Sequence, residues 1–242
     1  MGEQIWPVIS PDTVAAVSTD EMRELDRLAI ATGLSLEQMM ENAGIRLADV
    51  ALHLCKLRPG QRVAVMAGGG NNGGGALAAA RHLSNRGIDI TVVLDRIPSD
   101  LTEAGRRQLQ ILRQTPVSVS LDPPSVPEAI IDGLVGYGLL GNPQDRTSVL
   151  IEWANASRTN VLALDVPSGL DATTGMRGTP CLVASATLTL ALPKTGLLAP
   201  GVGAVTGDLL LADISIPAGV YEALGVARPG AFRASSIVAI AG

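Results

Sequence analysis

The spacing of apolar residues changes character once along this chain. Between residues 18 and 54 they fall at helical intervals. Met22, Leu25, Leu28 and Ala29 follow a capping box, in which Ser18 and Glu21 have the required spacing, and Gly33 supplies a stop. Met39, Met40, Ala43, Leu47 and Val50 then line one side of a second helix, capped by Ser35 and running to about residue 54. From residue 62 onward, short apolar runs alternate with helical stretches. Residues 62–67 read as a strand, 76–86 as a helix ended by Gly87, and 89–94 as the next strand. This is a βαβ unit, and its crossover is long enough to set the two strands parallel. Helices over 101–114 and 149–156, strands over 117–121, 129–131, 161–164, 187–192 and 209–212, and a short helix over 217–224 complete the pattern.

The fold class that follows is α/β: a Rossmann-like, three-layer, doubly wound and mostly parallel sheet preceded by two N-terminal helices. One domain is expected over 18–227. Residues 1–17, with Pro7 and Pro11, read as a loose leader, and 228–242 as a weakly patterned tail.

Composition sharpens the fold more than the function. Of the 242 residues 47% are hydrophobic, but only two are Trp, two Tyr and one Phe, so the core is built from aliphatic strands buried on both faces. The formal charge is −5, with no basic block and too few aromatics for base stacking, which argues against nucleic acid as a partner. An anionic ligand must then be held by local backbone dipoles. Cys55 and Cys181 stand far apart and read as two reduced thiols. The first ten residues lack a signal-peptide pattern, Trp6 spoils a myristoylation signal, and residues 178–193 read as loop plus strand, so no membrane span is expected and the location is expected to be cytoplasmic.

The sharpest chemical feature is the run Gly68-Gly69-Gly70-Asn71-Asn72-Gly73-Gly74-Gly75 between a strand and a helix. Glycines permit positive φ and close approach of a ligand, and the following helix offers free N–H groups, which suits a pyrophosphate. No Gly-Lys-Ser/Thr follows, so it is not a P-loop. Asp132, Asp165 and Ser168, and Lys194 come after other predicted strands. Strand carboxyl ends of a parallel sheet share one edge, so Asn72, Asp132, Asp165 and Ser168 should meet in one crevice. Their amide, carboxylate and hydroxyl oxygens suit a hard cation, potassium included, rather than zinc. His53 and His82 fall inside helices and read as surface or packing residues.

These motifs, in order, resemble the YjeF N-terminal domain family of NAD(P)H-hydrate epimerases over about residues 17–217. The markers are Met40-Glu41-Asn42-Ala43-Gly44; Gly70-Asn71-Asn72-Gly73-Gly74 before Ala80-Arg81-His82-Leu83; Asp132 ahead of a glycine-rich turn; Leu164-Asp165-Val166-Pro167-Ser168-Gly169-Leu170-Asp171 with Gly175; and Pro193-Lys194-Thr195-Gly196. The resemblance implies a substrate, NADH or NADPH hydrated at C6 of the nicotinamide ring (NADHX or NADPHX), whose R and S forms are interconverted as part of cofactor repair. It implies a potassium ion on Asn72, Asp132 and Ser168. Substrate loops are implied at Asn71, Asn72, Gly73, Gly74 and Gly75, and at Gly136, Tyr137, Gly138, Leu139, Leu140, Gly141 and Asn142. Asp165 is implied as the substrate-contacting acid/base. Lys194 is either a charge-balancing group or a plain surface lysine.

The resemblance also implies a separate ADP- or ATP-dependent dehydratase acting after this domain, expected on another chain. A homodimer through the N-terminal helices is implied as well; their methionine faces suit either that interface or packing on the sheet. Two positions depart from the family pattern: Gly75 and Ala76 replace the usual Asp-Gly, and Tyr137 replaces a small Thr. A non-catalytic domain that binds a nucleotide or a protein is the alternative these changes leave open. A hydride-transferring enzyme is the third reading. It would need an acid about 20 positions after the glycines to hold a ribose, near where Asp95 falls.

Overall fold

Ser18 and Ser35 each close a reciprocal cap. The Ser18 hydroxyl accepts from the Glu21 N–H at 3.3 Å while Glu21 accepts from the Ser18 N–H at 2.7 Å, and Ser35 and Gln38 repeat the arrangement. The computed structural model describes residues 5–125 and 127–241, so the first four residues of the expected leader and the last of the expected tail lie outside it. In chain order the elements are β1 (Val8–Ile9), α1 (Thr19–Ala31), α2 (Leu36–Leu54), β2 (Arg62–Ala67), α3 (Asn71–Ser84), β3 (Asp89–Leu94), α4 (Glu103–Leu112), β4 (Ser118–Ser120), β5 (Ala129–Gly133), α5 (Asp145–Ser157), β6 (Asn160–Leu164), β7 (Ala186–Leu190), α6 (Gly203–Thr206), β8 (Asp208–Ala212), α7 (Ala218–Leu224) and β9 (Ile237–Ile240).

Among the described residues, nine strands form one sheet in the order β1-β9-β8-β7-β6-β5-β2-β3-β4, parallel throughout except for the β8–β9 pair. The expected doubly wound α/β architecture is present. Strand side chains alternate between two helical layers, as the period of two demands. Val63, Val65 and Ala67 pack in the cluster that holds Leu47 of α2, Leu77 and Leu83 of α3, and Leu109 of α4. Ala64 and Met66 pack instead with Leu150, Ile151 and Ala154 of α5. From β2 the chain winds outward through β3 and β4; from β5 it winds the other way through β6, β7 and β8. The boundary between β2 and β5 is therefore the switch point, where a crevice opens at the strand carboxyl ends.

Two expectations need correction. The segments read as a loose leader and tail both join the sheet. Val8 and Ile9 pair with Ala239 and Ile240 of β9, and β9 pairs antiparallel with β8, burying Ile237 and Val238. Isolated runs of two and four residues carry too little pattern to announce themselves. The helix expected to start at residue 76 starts instead at Asn71, and Gly73, Gly74 and Gly75 are helical. None of the glycines from 68 to 75 adopts positive φ. They are needed for space: a Cβ on Gly68 would lie 1.9 Å from the Leu134 carbonyl oxygen, one on Gly73 1.9 Å from the Gly68 carbonyl oxygen, and one on Gly74 2.5 Å from the Met40 sulfur.

Candidate active site

The turns that leave β2, β5 and β6 border a partly open cavity of about 540 Å³, also lined by Met22, Met39 and Met40 of α1 and α2. Those methionines are buried, so they line the cavity and do not form an exposed dimer face. Asn71, Asn72 and Gly75 come from the glycine segment, Gly136, Tyr137 and Gly138 from the turn after β5, and Asp165 from the end of β6.

Asp165 is buried and sits in the left-handed region at φ 69°, a conformation Asp tolerates better than most residues. Such strain, on the order of 1–3 kcal/mol, persists where the surroundings over-determine it. Here they do. The Asp165 backbone N–H donates to Leu188 O at 2.8 Å, its Oδ2 accepts from the Tyr137 N–H at 3.1 Å, and its Oδ1 accepts from the Lys194 ammonium. Lys194 is fully buried and also donates to Leu190 O at 3.0 Å and Thr189 Oγ1 at 3.3 Å. The surface-lysine reading of Lys194 is thus overturned: a buried ammonium needs a paired carboxylate, and Asp165 is that carboxylate. Gly136 lets the two polar segments approach, since a Cβ there would lie 3.0 Å from Asp165 Oδ2 and 3.1 Å from Asn72 Oδ1. The Asn72 amide donates to Leu164 O at 3.2 Å and leaves its oxygen toward that junction.

Asp132 and Ser168, both fully buried, do not line the cavity with Asn72 and Asp165; they hydrogen-bond instead to Leu134 and Val135, which do. Asp132 Oδ1 accepts from the Ser168 hydroxyl at 2.7 Å and the Leu134 N–H at 3.1 Å, and Oδ2 accepts from the Ser168 N–H at 2.9 Å. Ser168 Oγ also meets the Val135 carbonyl at 3.2 Å. No Lys or Arg among the described residues pairs with Asp132, and burial pushes its carboxyl up to about 6 despite these hydrogen bonds.

Tyr137, the bulky residue in the turn, does not block the cavity. Its hydroxyl swings to Asp26 of α1, donating at 2.5 Å, and the Lys194 ammonium lies 5.7 Å from its ring centre. Burial raises the Asp26 carboxyl above its ordinary value, partly offset by the Tyr137 hydrogen bond and the charge of Lys194. Folded Asp26 therefore keeps its proton to higher pH than unfolded Asp26, and this group's contribution to stability is lost as pH rises through that window. In urea titrations from about pH 4 to about pH 7, Asp26→Asn should gain stability relative to the unsubstituted protein as pH rises. A pH-independent difference would remove the buried-acid assignment.

Not every expected substrate contact reaches the main cavity. Gly73 is packed against the Gly68 backbone and Gly74 against Met40 of α2; Leu139, Leu140 and Asn142 border a second, adjoining cavity; and Gly141 borders neither. Asp26, Arg23 and Arg96 line the sites without having been singled out in the sequence, because polar residues on a helix or after a strand look like solvated positions. His82 accepts the packing role expected of it, meeting Glu41 at 2.7 Å, and His53 packs edge-on against Trp6. Cys55 and Cys181 are half-buried free thiols. Among the described residues, no helix is long and apolar enough to cross a membrane.

A family model described as the YjeF-related protein N-terminus matches residues 36–196. The chain belongs to this family. Members similar to it include a protein of Dehalogenimonas lykanthroporepellens named NAD(P)H-hydrate epimerase, 44% identical over 88% of this chain and 87% of its own. One of the same name from Cenarchaeum symbiosum is 37% identical over 83% and 95%. A Moorella thermoacetica protein named bifunctional NAD(P)H-hydrate repair enzyme Nnr is 34% identical over 83% of this chain but only 40% of its own. The crystal structure of the yeast protein ynu0 shares the fold, with a TM-score of 0.82 at 24% identity over 94% of this chain and all of that one. For a YjeF-related member, the two departures at Gly75 and Tyr137 leave the cavity beside Asp165 open.

Proposed function

We propose that this chain interconverts the R and S forms of NADH or NADPH hydrate, an isomerase reaction at C6 of the hydrated nicotinamide ring. The observation that carries this reading is the Asp165 carboxylate, held at a cavity wall by Lys194 on one oxygen and the Tyr137 N–H on the other. Inversion at C6 requires the hydroxyl to leave and return, or the ring to open and reclose. Either route moves a proton on and off one substrate atom, which a positioned carboxylate can do in successive steps. Lys194 and the turn around Gly136 fix where that carboxylate stands, and Met22, Met39 and Met40 line the cavity beside it. Asn71, Asn72 and Gly75, with the turn from Gly136 to Gly138, would orient the ring. The epimerase names of relatives that align over most of this chain support the same substrate.

Asn72, Asp132 and Ser168 fit a potassium ion. Asp132 is a buried carboxylate without a cationic partner among the described residues, and the Ser168 hydroxyl beside it also meets the Val135 carbonyl. A cation there would supply positive charge beneath the turn that carries Gly136 and Tyr137. Downstream, a separate ADP- or ATP-dependent dehydratase would consume the S form; the bifunctional name of some relatives supports that coupling. A homodimer and a cytoplasmic location belong to the same reading.

The test supplies the R hydrate and an S-specific dehydratase, with this protein in potassium chloride or choline chloride. Faster loss of the R form is expected, and more so with potassium. Potassium should also raise the melting temperature by roughly 5 °C at saturating concentration, an effect that Asp132→Asn removes. If the R form persists at its spontaneous rate, the epimerase reading fails.

A further inference from the structure

The sequence singled out Asp95 as the acid that would hold a ribose in a hydride-transferring enzyme, and the proposed reaction leaves it unused. Its place in the fold is the expected one, at the end of β3 next to the glycine segment, with its side chain 1% exposed. Both of its oxygens are already occupied. Oδ1 accepts from Arg96 Nε at 2.8 Å, and Oδ2 accepts from Arg96 Nη2 at 2.9 Å and from the Thr147 hydroxyl at 2.9 Å. A carboxylate so engaged has little left for a sugar diol. It instead fixes a guanidinium.

Arg96 is held flat against the glycine segment. A Cβ on Gly69 would lie 2.4 Å from both Cδ and Nε of Arg96, so only glycine admits the arginine there. Nη1 has no hydrogen-bond partner among the described residues, and the side chain is 47% exposed, which leaves a charged donor free for a ligand. Arg96 also borders two cavities. One is the main cavity with Asp165; the other, of about 450 Å³, is walled by Leu139, Leu140, Pro143 and Thr147. Val135 and Arg96 are common to both. Leu140 is 85% exposed at the second cavity, an apolar side chain with nothing over it.

We propose that Arg96, presented by Asp95 and Thr147, binds the pyrophosphate of a dinucleotide whose adenosine half occupies the second cavity. The inference rests on the dinucleotide substrate proposed above. A dinucleotide consists of two nucleosides joined by a pyrophosphate. Two compartments meeting at an arginine reproduce that layout, with Leu139, Leu140 and Pro143 available to cover the base. A guanidinium forks onto phosphate oxygens, and a fixed guanidinium loses little freedom in doing so. The position at the junction favours the linking pyrophosphate over a ribose 2′-phosphate, which would lie out in the second cavity.

The test is calorimetric binding of NADH and of NADPH to the whole chain, alongside epimerisation of the two hydrates. Because Arg96→Ala leaves buried Asp95 unpaired, Arg96→Lys is measured beside it. Arg96→Ala should weaken NADH and NADPH by the same factor, about ten- to a hundredfold. Arg96→Lys, which keeps the charge without the fork, should weaken both several-fold while melting like the unsubstituted protein. In the epimerase assay KM should rise with kcat within about threefold. A loss confined to NADPH would place the 2′-phosphate on Arg96 and overturn the pyrophosphate assignment. Unchanged affinity of both variants for both ligands, or failure of the unsubstituted protein to bind either, would overturn it outright. If the dinucleotides bind as expected but no hydrate is epimerised, the reaction assignment fails and the arginine assignment stands.

Discussion

Replacing Asp165 with Asn is expected to lower kcat for hydrate epimerisation by about a hundred- to ten-thousandfold, the usual scale for removing a positioned acid or base. Asn keeps the size of the side chain and tolerates the left-handed backbone that Asp165 adopts at φ 69°. Its carbonyl oxygen can still accept from Lys194 or from the Tyr137 N–H, so much of the local geometry should survive. What it cannot do is carry a proton between substrate positions. The measurement is single-turnover conversion of purified R hydrate, with KM for the same substrate recorded in parallel. Loss in kcat with KM little changed places Asp165 at the chemical step. Turnover within about threefold of the unsubstituted enzyme would reject that role.

Lys194→Met is expected to cost about 3–5 kcal/mol of folding stability, the range found when one member of a buried ion pair is removed. Lys194 is fully exposure-free, and its pairing carboxylate on Asp165 has a side chain only 5% exposed. Met fills most of the same volume, so the loss reports the stranded carboxylate more than a void. For a chain of this length the midpoint of thermal unfolding should fall by roughly 10 °C. The control is the double variant Asp165→Asn with Lys194→Met. With the charge removed from both sides, it should be more stable than Lys194→Met alone, which is the coupling expected of groups in direct contact. Equal destabilisation in the single and double variants would contradict the pair.

Much of this architecture is legible in the sequence, because the deciding signals are local. Ser18 with Glu21 and Ser35 with Gln38 start two helices from four residues each. The apolar runs that become β2, β3 and β6 carry enough pattern to be read in isolation, and their order gives a parallel sheet. The first turn of α3 is different. Three successive glycines argue against helix by propensity. The close contact with α2 overrides that preference, because only a helix without side chains fits beside Met40 and beneath Leu164. No local rule contains that information. The strand β1 is legible only through β9, since a two-residue edge strand exists by virtue of its neighbour, and β9 through its pairing with β8.

The site divides the same way. Asn72, Asp165 and Ser168 follow strands and Asp132 lies at the carboxyl end of β5, so the sheet's geometry predicts their shared edge. Lys194 offers no such clue about its depth: it lies 29 positions from Asp165, and burial follows from a contact that only the fold creates. Asp26 sits on a helix in a run of charged residues, and its partner Tyr137 lies 111 positions away. Tyr137 itself looks in sequence like an obstruction. Its hydroxyl instead reaches across to α1, and the ring forms part of the wall.

The boundary between β2 and β5 separates the strands that wind one way from those that wind the other, and the cavity straddles it. A molecule seated there touches the glycine segment from one half of the chain and the turns carrying Tyr137 and Asp165 from the other. It would act as a staple between them, adding to the strand pairing, the shared core and the Asn72–Leu164 hydrogen bond that already cross the seam. Amide exchange along both sides of that seam should then slow together when ligand is added, tying two halves into a single cooperative unit.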